Sequence, residues 1–276
     1  MTRQDIPGGV RLNTIAGWNQ TEADWERFLA ASPNGCFVME DGDKIVGTAA
    51  TFPFENKFAW ISMVLVDPAN RNQGIGTSLL RRAIECLDGT RMPTQKLDAT
   101  PAGKSLYEKL GFVTECEIDR WVLKRTISDK SGRQAIATTP ERLSEVFEFD
   151  REAFGADRSA LLRSLGERAP DLTLVDRDSN RLIGYMFGRR GLFADHLGPW
   201  MARDAETARS QLAEFLERSS RDTIVVDALR ANPITANLLR ENGFSPSRLL
   251  TRMYRGPNSF PGNPAFLCAI LGPEFG

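Results

Sequence analysis

A glycine-spaced turn follows an apolar run in the first third of the chain. In VDPANRNQGIGTSLL (Val66–Leu80), Gly74 and Gly76 stand one residue apart behind Arg71. A strand that turns into a helix exposes the first backbone N–H groups of that helix and the positive end of its dipole. Glycines let an anion approach the backbone closely, Arg71 adds a cation and Thr77 adds a hydroxyl. The spacing predicts a turn that binds phosphate or pyrophosphate.

Two other phosphate motifs do not fit this stretch. No third glycine follows, as the dinucleotide-binding fingerprint requires, and no G-K-[ST] follows, as the P-loop requires. A tight turn can also use glycine for purely structural reasons. The meaning of the motif therefore depends on the elements around it.

The surrounding elements are typical of an α/β protein. The apolar run AWISMVLV (Ala59–Val66) predicts a buried strand, and apolar residues at helical spacing follow the turn. Asp41-Gly42 predicts the turn of a hairpin, and Gly111 stands where a helix would end. A short strand is also expected at residues 10–12.

Together these segments resemble the acetyl-CoA signature of the GNAT acyltransferases. The resemblance rests on VLV, D-P and R-x-x-G-x-G before an amphipathic helix, and on the downstream segment DATPAGKSLYEKLGF. It implies a mixed, splayed central sheet flanked by helices, with the pantetheine arm of acetyl-CoA between two diverging strands. Main-chain atoms of Val64, Leu65 and Val66 would pair with this arm, and an N–H of Val64 or Leu65 would polarise the thioester carbonyl.

The resemblance also assigns the remaining donor contacts. Thr100 stands where many relatives carry an asparagine that contacts the cofactor, and the resemblance places it among the cofactor contacts. The pyrophosphate would be wrapped by Arg71, Asn72, Gln73, Gly74, Ile75, Gly76 and Thr77.

Tyr107 is the predicted catalytic residue. Its phenol would protonate the departing CoA thiolate, although such a ring can also serve packing alone. The general base is left open, because Ala59–Val66 contains no acidic residue. The candidates are Glu55, Asp24, Asp98, Asp195 and His196.

The acceptor side is expected to be aromatic, although core packing explains Trp60 equally well. His196 is the only histidine, and a lone histidine is more often packed than catalytic. The predicted acceptor contacts are Trp18, Asn19, Phe52, Phe54, Trp60 and His196.

A similar order of elements recurs in the second half. LYEKLGF and KLDAT in the first half have counterparts in LLRENGF and VVDAL. We therefore predict two tandem GNAT-like domains, residues 1–128 and 133–276, joined by the linker SDKSGR. The second domain has no glycine turn, and we expect it to cover the acceptor cleft. Its arginines could hold a substrate anion or be solvated; they are Arg158, Arg189, Arg190 and Arg252.

Composition narrows the class of protein. There are 35 basic and 36 acidic residues, giving a net charge of −1, so no global field attracts nucleic acid or anionic membrane. Four separated cysteines and one histidine give no spacing for a metal site. The amino-terminal residues show no apolar targeting segment, and no long apolar run follows. We expect a cytoplasmic protein, a monomer or homodimer, without metal, nucleic acid or membrane.

The sequence thus predicts an enzyme that moves acetyl from acetyl-CoA to a primary amine of a small molecule, by direct attack in a ternary complex. Two alternatives are kept. One is an acetyltransferase acting on protein amino termini or lysines. The other is a CoA-binding regulatory module without turnover.

Overall fold

The chain forms two compact units. The computed structural model describes residues 1–126, 140–179 and 181–276. The first unit comprises Met1–Glu115, Arg252–Ser259 and Pro273–Gly276, and the second comprises Cys116–Thr251 and Phe260–Gly272. The predicted linker SDKSGR lies outside the described residues, so the boundary at 128–133 stays a prediction.

The first unit is built on strands in the order β1-β2-β3-β4, followed by the part of β10 assigned to this unit. Its strands are β1 (Cys36–Asp41), β2 (Lys44–Phe54), β3 (Phe58–Val66) and β4 (Thr94–Ala99). Its helices are α1 (Ile6–Ile15), α2 (Glu22–Ala31), α3 (Ile75–Gly89) and α4 (Pro101–Lys109).

The expectation of a strand at residues 10–12 was wrong, because these residues lie inside helix α1. The apolar spacing is helical here, and Ile6, Gly9 and Leu12 are all buried. Asn13 completes the buried side, since its Oδ1 accepts from Trp25 Nε1 at 3.0 Å. A three-residue apolar segment does not by itself distinguish the helical period of about 3.6 residues from the strand period of about 2.

The splay of the first sheet lies between β3 and β4. These strands are parallel and pair only over Phe58–Trp60 and Thr94–Lys96, although β3 continues to Val66 and β4 to Ala99. Within the described chain no other strand pairs with the edge of β3 beyond Trp60. The sheet therefore opens towards the carboxyl ends of both strands.

Each face of the first sheet has its own core. On one face α3 and α4 cover Ala59, Ile61 and Leu97. The other face carries a set of ring contacts that we call the aromatic layer. Its members are Trp25, Phe28, Phe52, Phe54, Phe58, Trp60 and Phe275.

The second unit repeats this plan. Its strand order is β10-β5-β9-β8-β7-β6, and β11 pairs with β8. Its strands are β5 (Val113–Lys124, which begins in the first unit), β6 (Leu174–Asp178), β7 (Arg181–Arg190), β8 (Asp195–Ala202), β9 (Thr223–Leu229), β10 (Ser245–Arg255) and β11 (Leu267–Ala269). Its helices are α5 (Pro140–Phe154), α6 (Ser159–Arg168), α7 (Ala205–Arg218) and α8 (Pro233–Glu241).

A splay is present in the second sheet as well. Strands β8 and β9 are parallel and pair over Asp195–Leu197 and Ile224–Val226. Beyond these residues β8 pairs with β11 instead, through Trp200 and Met201. Both units therefore have the predicted α/β architecture with a mixed, splayed sheet.

Candidate functional site

The end of β3 leads into a strand-to-helix turn that exposes backbone donors. Gly74 is the N-cap of α3, with φ +81°, a conformation that favours glycine. The first hydrogen bond of the helix runs from Ser78 N–H to Gly74 O, at 2.9 Å. The N–H groups of Ile75, Gly76 and Thr77 precede that bond and point out of the helix end. Among the described residues no side chain caps this end.

The glycines of the turn have different roles. Gly74 is exposed, and a Cβ on it would meet no atom within 4 Å. Glycine is therefore required here by the positive φ angle and not by a lack of room for a side chain. Gly76 lies within the helix, where a Cβ would stand 3.4 Å from Cγ2 of Val66, an ordinary contact. Gly76 therefore keeps free the outer surface of the first helical turn. Unlike Gly74, Gly76 is not needed for a positive φ angle.

Arg71, Asn72 and Gln73 form the exposed rim of the turn. Arg71 Nε donates to Val66 O at 3.3 Å, which holds the guanidinium against the end of β3. Asn72 adopts φ +63°, which asparagine tolerates better than most residues. The cation and the free N–H groups therefore lie along one continuous segment of chain.

Asp67 fixes the entry to this turn. Its Oδ1 accepts from Ala69 N–H at 3.2 Å, and its Oδ2 pairs with Arg11 at 2.9 Å and Lys44 at 2.8 Å. Hydrogen bonds from Lys44 and Arg11 hold the pKa of Asp67 well below its usual range. Because two cations balance this carboxylate, it adds little repulsion towards an anion at the turn. The D-P dipeptide was the only sequence signal for this role.

The edge of β3 presents backbone groups into the splay. Asp67 N–H donates to Val46 O on β2, so by strand alternation Leu65 also points towards β2. Val64 and Val66 then direct their N–H and C=O groups to the opposite edge. A bulge at Met63, whose φ is +53°, separates this stretch from the regular pairing of β2 and β3.

Tyr107 lies on α4 and packs against the same core as Val64. Its ring is 6.2 Å from that of Phe112 in an edge-to-face arrangement, and burial raises the pKa of the phenol to about 12. No described residue forms a hydrogen bond with its hydroxyl. Thr100 is the N-cap of α4, and among the described residues no cap bond from its side chain is present.

Gly103 positions the phenol of Tyr107. A Cβ on Gly103 would lie 2.9 Å from Cε2 of Tyr107 and 3.4 Å from its hydroxyl, so the ring lies directly over the first turn of α4. Sequence analysis missed this residue. The spacing of four residues between Gly103 and Tyr107 was the available signal, because such residues lie one above the other on a helix.

The predicted acceptor residues of the first domain lie at two depths. Trp18 and Asn19 are half-buried in the loop between α1 and α2. Phe52, Phe54 and Trp60 are buried in the aromatic layer, where Phe275 stacks on Phe28 at 4.8 Å and Trp60 Nε1 donates to Pro273 O. That packing favours a supporting role, and direct contact of these residues with an acceptor stays a prediction.

His196 lies in the second unit inside a buried charge network. Its Nδ1 is 3.2 Å from Arg189 Nη2, and its Nε2 is 3.1 Å from Asp227 Oδ2, without the angle of a hydrogen bond. Asp227 is also held by Arg120 through two bonds of 2.8 Å. Burial works against the charged carboxylate, but Arg120 and His196 outweigh it and hold the pKa of Asp227 below its usual range.

The other base candidates also have partners. Asp24 accepts from Thr21 N–H and pairs with Arg27 at 2.7 Å, which is a helix-capping arrangement. The side chain of Asp98 is fully buried and accepts two hydrogen bonds from Arg252, at 2.8 and 2.9 Å. Glu55 pairs with Lys57 at 2.8 Å.

In the second unit Asp195 accepts from Ser219 Oγ at 2.8 Å. The remaining arginines considered as substrate ligands are engaged too. Arg158 forms a buried pair with Asp150, and Arg190 pairs with Asp171. Each of these contacts gives the residue a structural role.

Ser62 is a further polar group that the sequence did not single out. It lies on β3 two residues after Trp60, the last residue paired with β4, and on the same face as Trp60. Its Oγ is buried and has no hydrogen-bond partner among the described residues. A buried hydroxyl at the splay is available to a bound molecule.

The described residues carry neither a membrane span nor a metal centre. No described helix has the length and apolar character needed to cross a bilayer. Across residues 1–126, 140–179 and 181–276, no group of His, Cys, Asp and Glu side chains could hold a metal ion.

Comparison with known proteins agrees with this architecture. Two acetyltransferase (GNAT) domain profiles match, over residues 32–114 and residues 146–267. Holothin acyltransferase of Pseudoalteromonas sp. (strain SANK 73390) is 27% identical over 262 residues, covering 94% of this chain and 87% of the relative. The uncharacterized N-acetyltransferase YitH of Bacillus subtilis (strain 168) is 23% identical, covering 87% and 85%.

Solved structures have the same fold. A Pyrococcus horikoshii protein assigned as an acetyltransferase superposes with a TM-score of 0.81 at 25% identity, covering 100% of this chain and 94% of its own. A tandem GNAT protein from the clavulanic acid biosynthesis pathway has a TM-score of 0.60 at 14% identity, covering 93% and 96%. With both halves matched by GNAT profiles, the chain belongs to the GNAT acetyltransferases and carries two such domains in tandem.

Proposed function

We propose that the first unit binds acetyl-CoA and transfers its acetyl group to a primary amine of a small molecule. One observation carries the proposal. The free edge of β3 is followed, after a turn over residues 67–74, by an uncapped helix N-terminus, so a strand-like arm and an anionic group can be bound in succession. A donor with amides at one end and a pyrophosphate at the other, as in CoA, matches this order.

The backbone of β3 would hold the pantetheine arm. Val64 offers an outward N–H and C=O, and Val66 offers an outward N–H beside a C=O that accepts from Arg71, whereas Leu65 is directed towards β2. This favours Val64 over Leu65 as the donor that polarises the thioester carbonyl. Thr100, at the start of α4, is a further donor contact.

The helix end would hold the pyrophosphate. The N–H groups of Ile75, Gly76 and Thr77 precede the first helical bond, and Arg71 adds a positive charge beside them. Asn72 and Gln73 complete the rim. The cations on Asp67 keep the neighbouring carboxylate from opposing the anion.

Tyr107 would supply the proton for the leaving thiolate. With a pKa of about 12 the phenol stays protonated through neutral and mildly alkaline pH, which is the state that a general acid requires. The amine attacks the thioester carbonyl, the C–S bond breaks, and the sulfur takes the phenolic proton. Bulk solvent then reprotonates Tyr107.

Direct attack is favoured over a covalent acyl-enzyme. Burial raises the pKa of the Cys36 thiol to about 11, so the thiolate that a relay would need is disfavoured. The acidic base candidates of the first unit hold structural partners. We therefore assign removal of the amine proton to water, with Ser62 Oγ placed to hold that water or the acceptor.

The acceptor is proposed to be a small molecule. The relative from Pseudoalteromonas is named for holothin and not for a protein substrate. Its name also records acyl and not acetyl transfer, so the length of the acyl chain is part of the test. The protein acetyltransferase and the regulatory module remain the alternatives. A cytoplasmic location and a monomeric or homodimeric state complete the proposal.

A two-way panel tests this proposal. Acetyl-, propionyl- and hexanoyl-CoA are each incubated with amino acids, aminosugars, polyamines, aminoglycosides and a lysine-containing peptide, and CoA thiol release is recorded. We expect release with acetyl-CoA and at least one small amine. Release with the peptide alone would favour the protein acetyltransferase, and donor binding without release on any amine would favour the regulatory module.

A further inference from the structure

The second unit fills its own splay with a strand. Strand β11 runs antiparallel to β8, with Leu267 opposite Met201 and Ala269 opposite Trp200. Trp200 and Met201 follow the stretch of β8 that pairs with β9, and β11 binds to the same edge of β8 as β9 does. Ile270 N–H then donates to Asp227 O on β9, at 2.9 Å. The segment thus hydrogen-bonds to both of the diverging strands.

The fit of this segment is close. A Cβ on Gly198 would lie 1.9 Å from Ile270 O, so only glycine lets the two backbones approach to this degree. Asn232 Nδ2 donates to Leu267 O at 3.0 Å from the start of α8. Cys268, Ala269 and Ile270 are all buried.

The helix end that follows β8 is also occupied. Asp204 is the N-cap of α7, and its side chain accepts from Thr207 N–H at 2.8 Å. The carboxylate supplies the negative charge that a phosphate would bring to such a helix. Gly74, at the equivalent start of α3, carries no side chain. Arg203 is engaged as well, since its Nε donates to Leu182 O and its guanidinium lies over Phe149.

The phenol of the proposed acyl-CoA site also has no counterpart among the described residues of the second unit. LLRENGF in the second half aligns Leu239 with Tyr107 of LYEKLGF. Leu239 is fully buried in the core of the second unit and has no proton to give. The strand edge, the helix end and the phenol therefore each have a substitute within the second unit.

We propose that the second unit is an intramolecular peptide-binding module, in which residues 267–270 take the place that acyl-CoA takes in the first unit. The comparison with acyl-CoA rests on the proposed function, whereas the insertion of the segment does not. The chain then has one acyl-CoA site, in the first unit. The splay between β8 and β9 instead binds an extended peptide segment through backbone hydrogen bonds.

Hydrogen exchange on the full chain tests both parts. Without ligand, we expect amides in residues 267–270 to exchange at least about tenfold more slowly than that of the exposed residue Ser259. With saturating acetyl-CoA, this protection should stay unchanged while residues 61–66 and 74–78 gain protection. Calorimetry should give one equivalent of acetyl-CoA per chain.

The outcomes separate the two proposals. Fast exchange of residues 267–270 in the free protein would overturn the insertion. Acetyl-CoA could instead abolish the protection of residues 267–270 and bind with a second equivalent per chain. This result would overturn the claim that the splay between β8 and β9 is closed to acetyl-CoA. If acetyl-CoA changes exchange nowhere, the proposed donor site fails, and the insertion is still decided by the free protein.

A matched pair of variants adds a local test. Gly198→Ala places a methyl against Ile270 O and should speed exchange in residues 267–270 at least about tenfold, with acetyl-CoA affinity within about twofold of wild type. Gly166→Ala is the control, because its Cβ would meet its nearest neighbour at 3.5 Å. Should Gly198→Ala not fold, Ile270→Pro removes the single N–H that bonds to Asp227 O. Unchanged exchange in both folded variants would contradict the proposal.

Discussion

At the scale of single residues, the proposed general acid is the hydroxyl of Tyr107, whose ring lies over Gly103. Tyr107 is half-buried, and among the described residues its phenol has no hydrogen-bond partner, so its proton is not committed to another group of the protein. Burial raises its pKa to about 12 and keeps that proton in place. Gly103 leaves room for the ring over the first turn of the helix.

Tyr107→Phe keeps the ring and removes the proton. We expect kcat to fall about 10²–10⁴-fold, the range typical of general acid catalysis, while acetyl-CoA affinity stays within about twofold. In the wild type, ionisation of the phenol should cause no loss of rate between pH 8 and 10, because the pKa is about 12. The measurements are kcat under conditions where chemistry limits the rate, and donor affinity by calorimetry.

Tyr254→Phe is the matched control for this prediction. Tyr254 lies on β10 and is half-buried, so the same atom is removed at a similar depth. We expect its kcat to stay near that of wild type. Full activity of Tyr107→Phe would reduce Tyr107 to a packing residue.

At the scale of elements, the proposed donor site is built at the junction of β3 and α3. The strand edge, the N-cap Gly74 and the first helical turn follow one another within a single segment, so their relative positions are fixed by local geometry. Asp67 anchors that segment through Arg11 and Lys44. Packing of α3 on the sheet then sets the direction of the helix end.

Gly76→Val places a branched side chain on the outer surface of the first helical turn. Because a Cβ at this position meets Val66 only at van der Waals distance, the fold should survive. The added methyl groups should keep a pyrophosphate from the N–H groups, and we expect acetyl-CoA affinity to fall at least about tenfold. Calorimetry measures the affinity, and circular dichroism checks the fold.

Gly89→Val provides the control in the same helix. Gly89 is the last residue of α3 and exposed, and a Cβ there would meet no atom within 4 Å. Its acetyl-CoA affinity should match wild type. Equal affinities for both variants would show that Gly76 serves only the turn.

Asp67→Asn removes the carboxylate that anchors the turn. Since the pKa of Asp67 is held below its usual range in the folded protein, its contribution to stability is present above about pH 4 and is lost as pH falls below that. The difference in unfolding free energy between wild type and variant should therefore be full at pH 6 and shrink towards pH 2. Urea titrations at stepped pH measure it, and a difference independent of pH would contradict the assignment.

At the scale of the whole molecule, the first unit is completed by residues that lie far away in the sequence. Arg252 supplies both hydrogen bonds to the buried carboxylate of Asp98 and lies 4.6 Å above the ring of Trp60. Phe275 enters the aromatic layer and contacts both Phe28 and Phe52. A fragment ending near residue 128 would lack both, so we expect it not to fold.

Phe275→Ala tests the contribution of that distant segment in the intact chain. The ring is fully buried, so its removal should cost about 3–5 kcal/mol of unfolding free energy, the range for large-to-small changes in a core. Phe193→Ala is the control, because Phe193 is 52% exposed. Urea denaturation measures both variants, and equal stabilities would show that Phe275 contributes little to the core.

Neighbouring residues set the local features, which a sequence pattern can therefore predict. The buried strand and the amphipathic helix after the glycine turn were confirmed in this way, and the tandem plan was confirmed from resemblance. The role of the turn in donor binding and that of Tyr107 in catalysis stay predictions. The prediction of a strand at residues 10–12 was wrong, because so short an apolar segment fits both a helix and a strand.

Contacts between residues far apart in the chain became visible only in the folded protein. The pairing of Asp98 with Arg252, of His196 with Asp227 and Arg189, and the entry of Phe275 into the aromatic layer join residues that no spacing relates. Strand β11 is three residues long, too short for a periodic signal, and its place between β8 and β9 follows from free backbone groups on strands far away in the chain. Long-range hydrogen bonding and burial, and not local propensity, fix these positions.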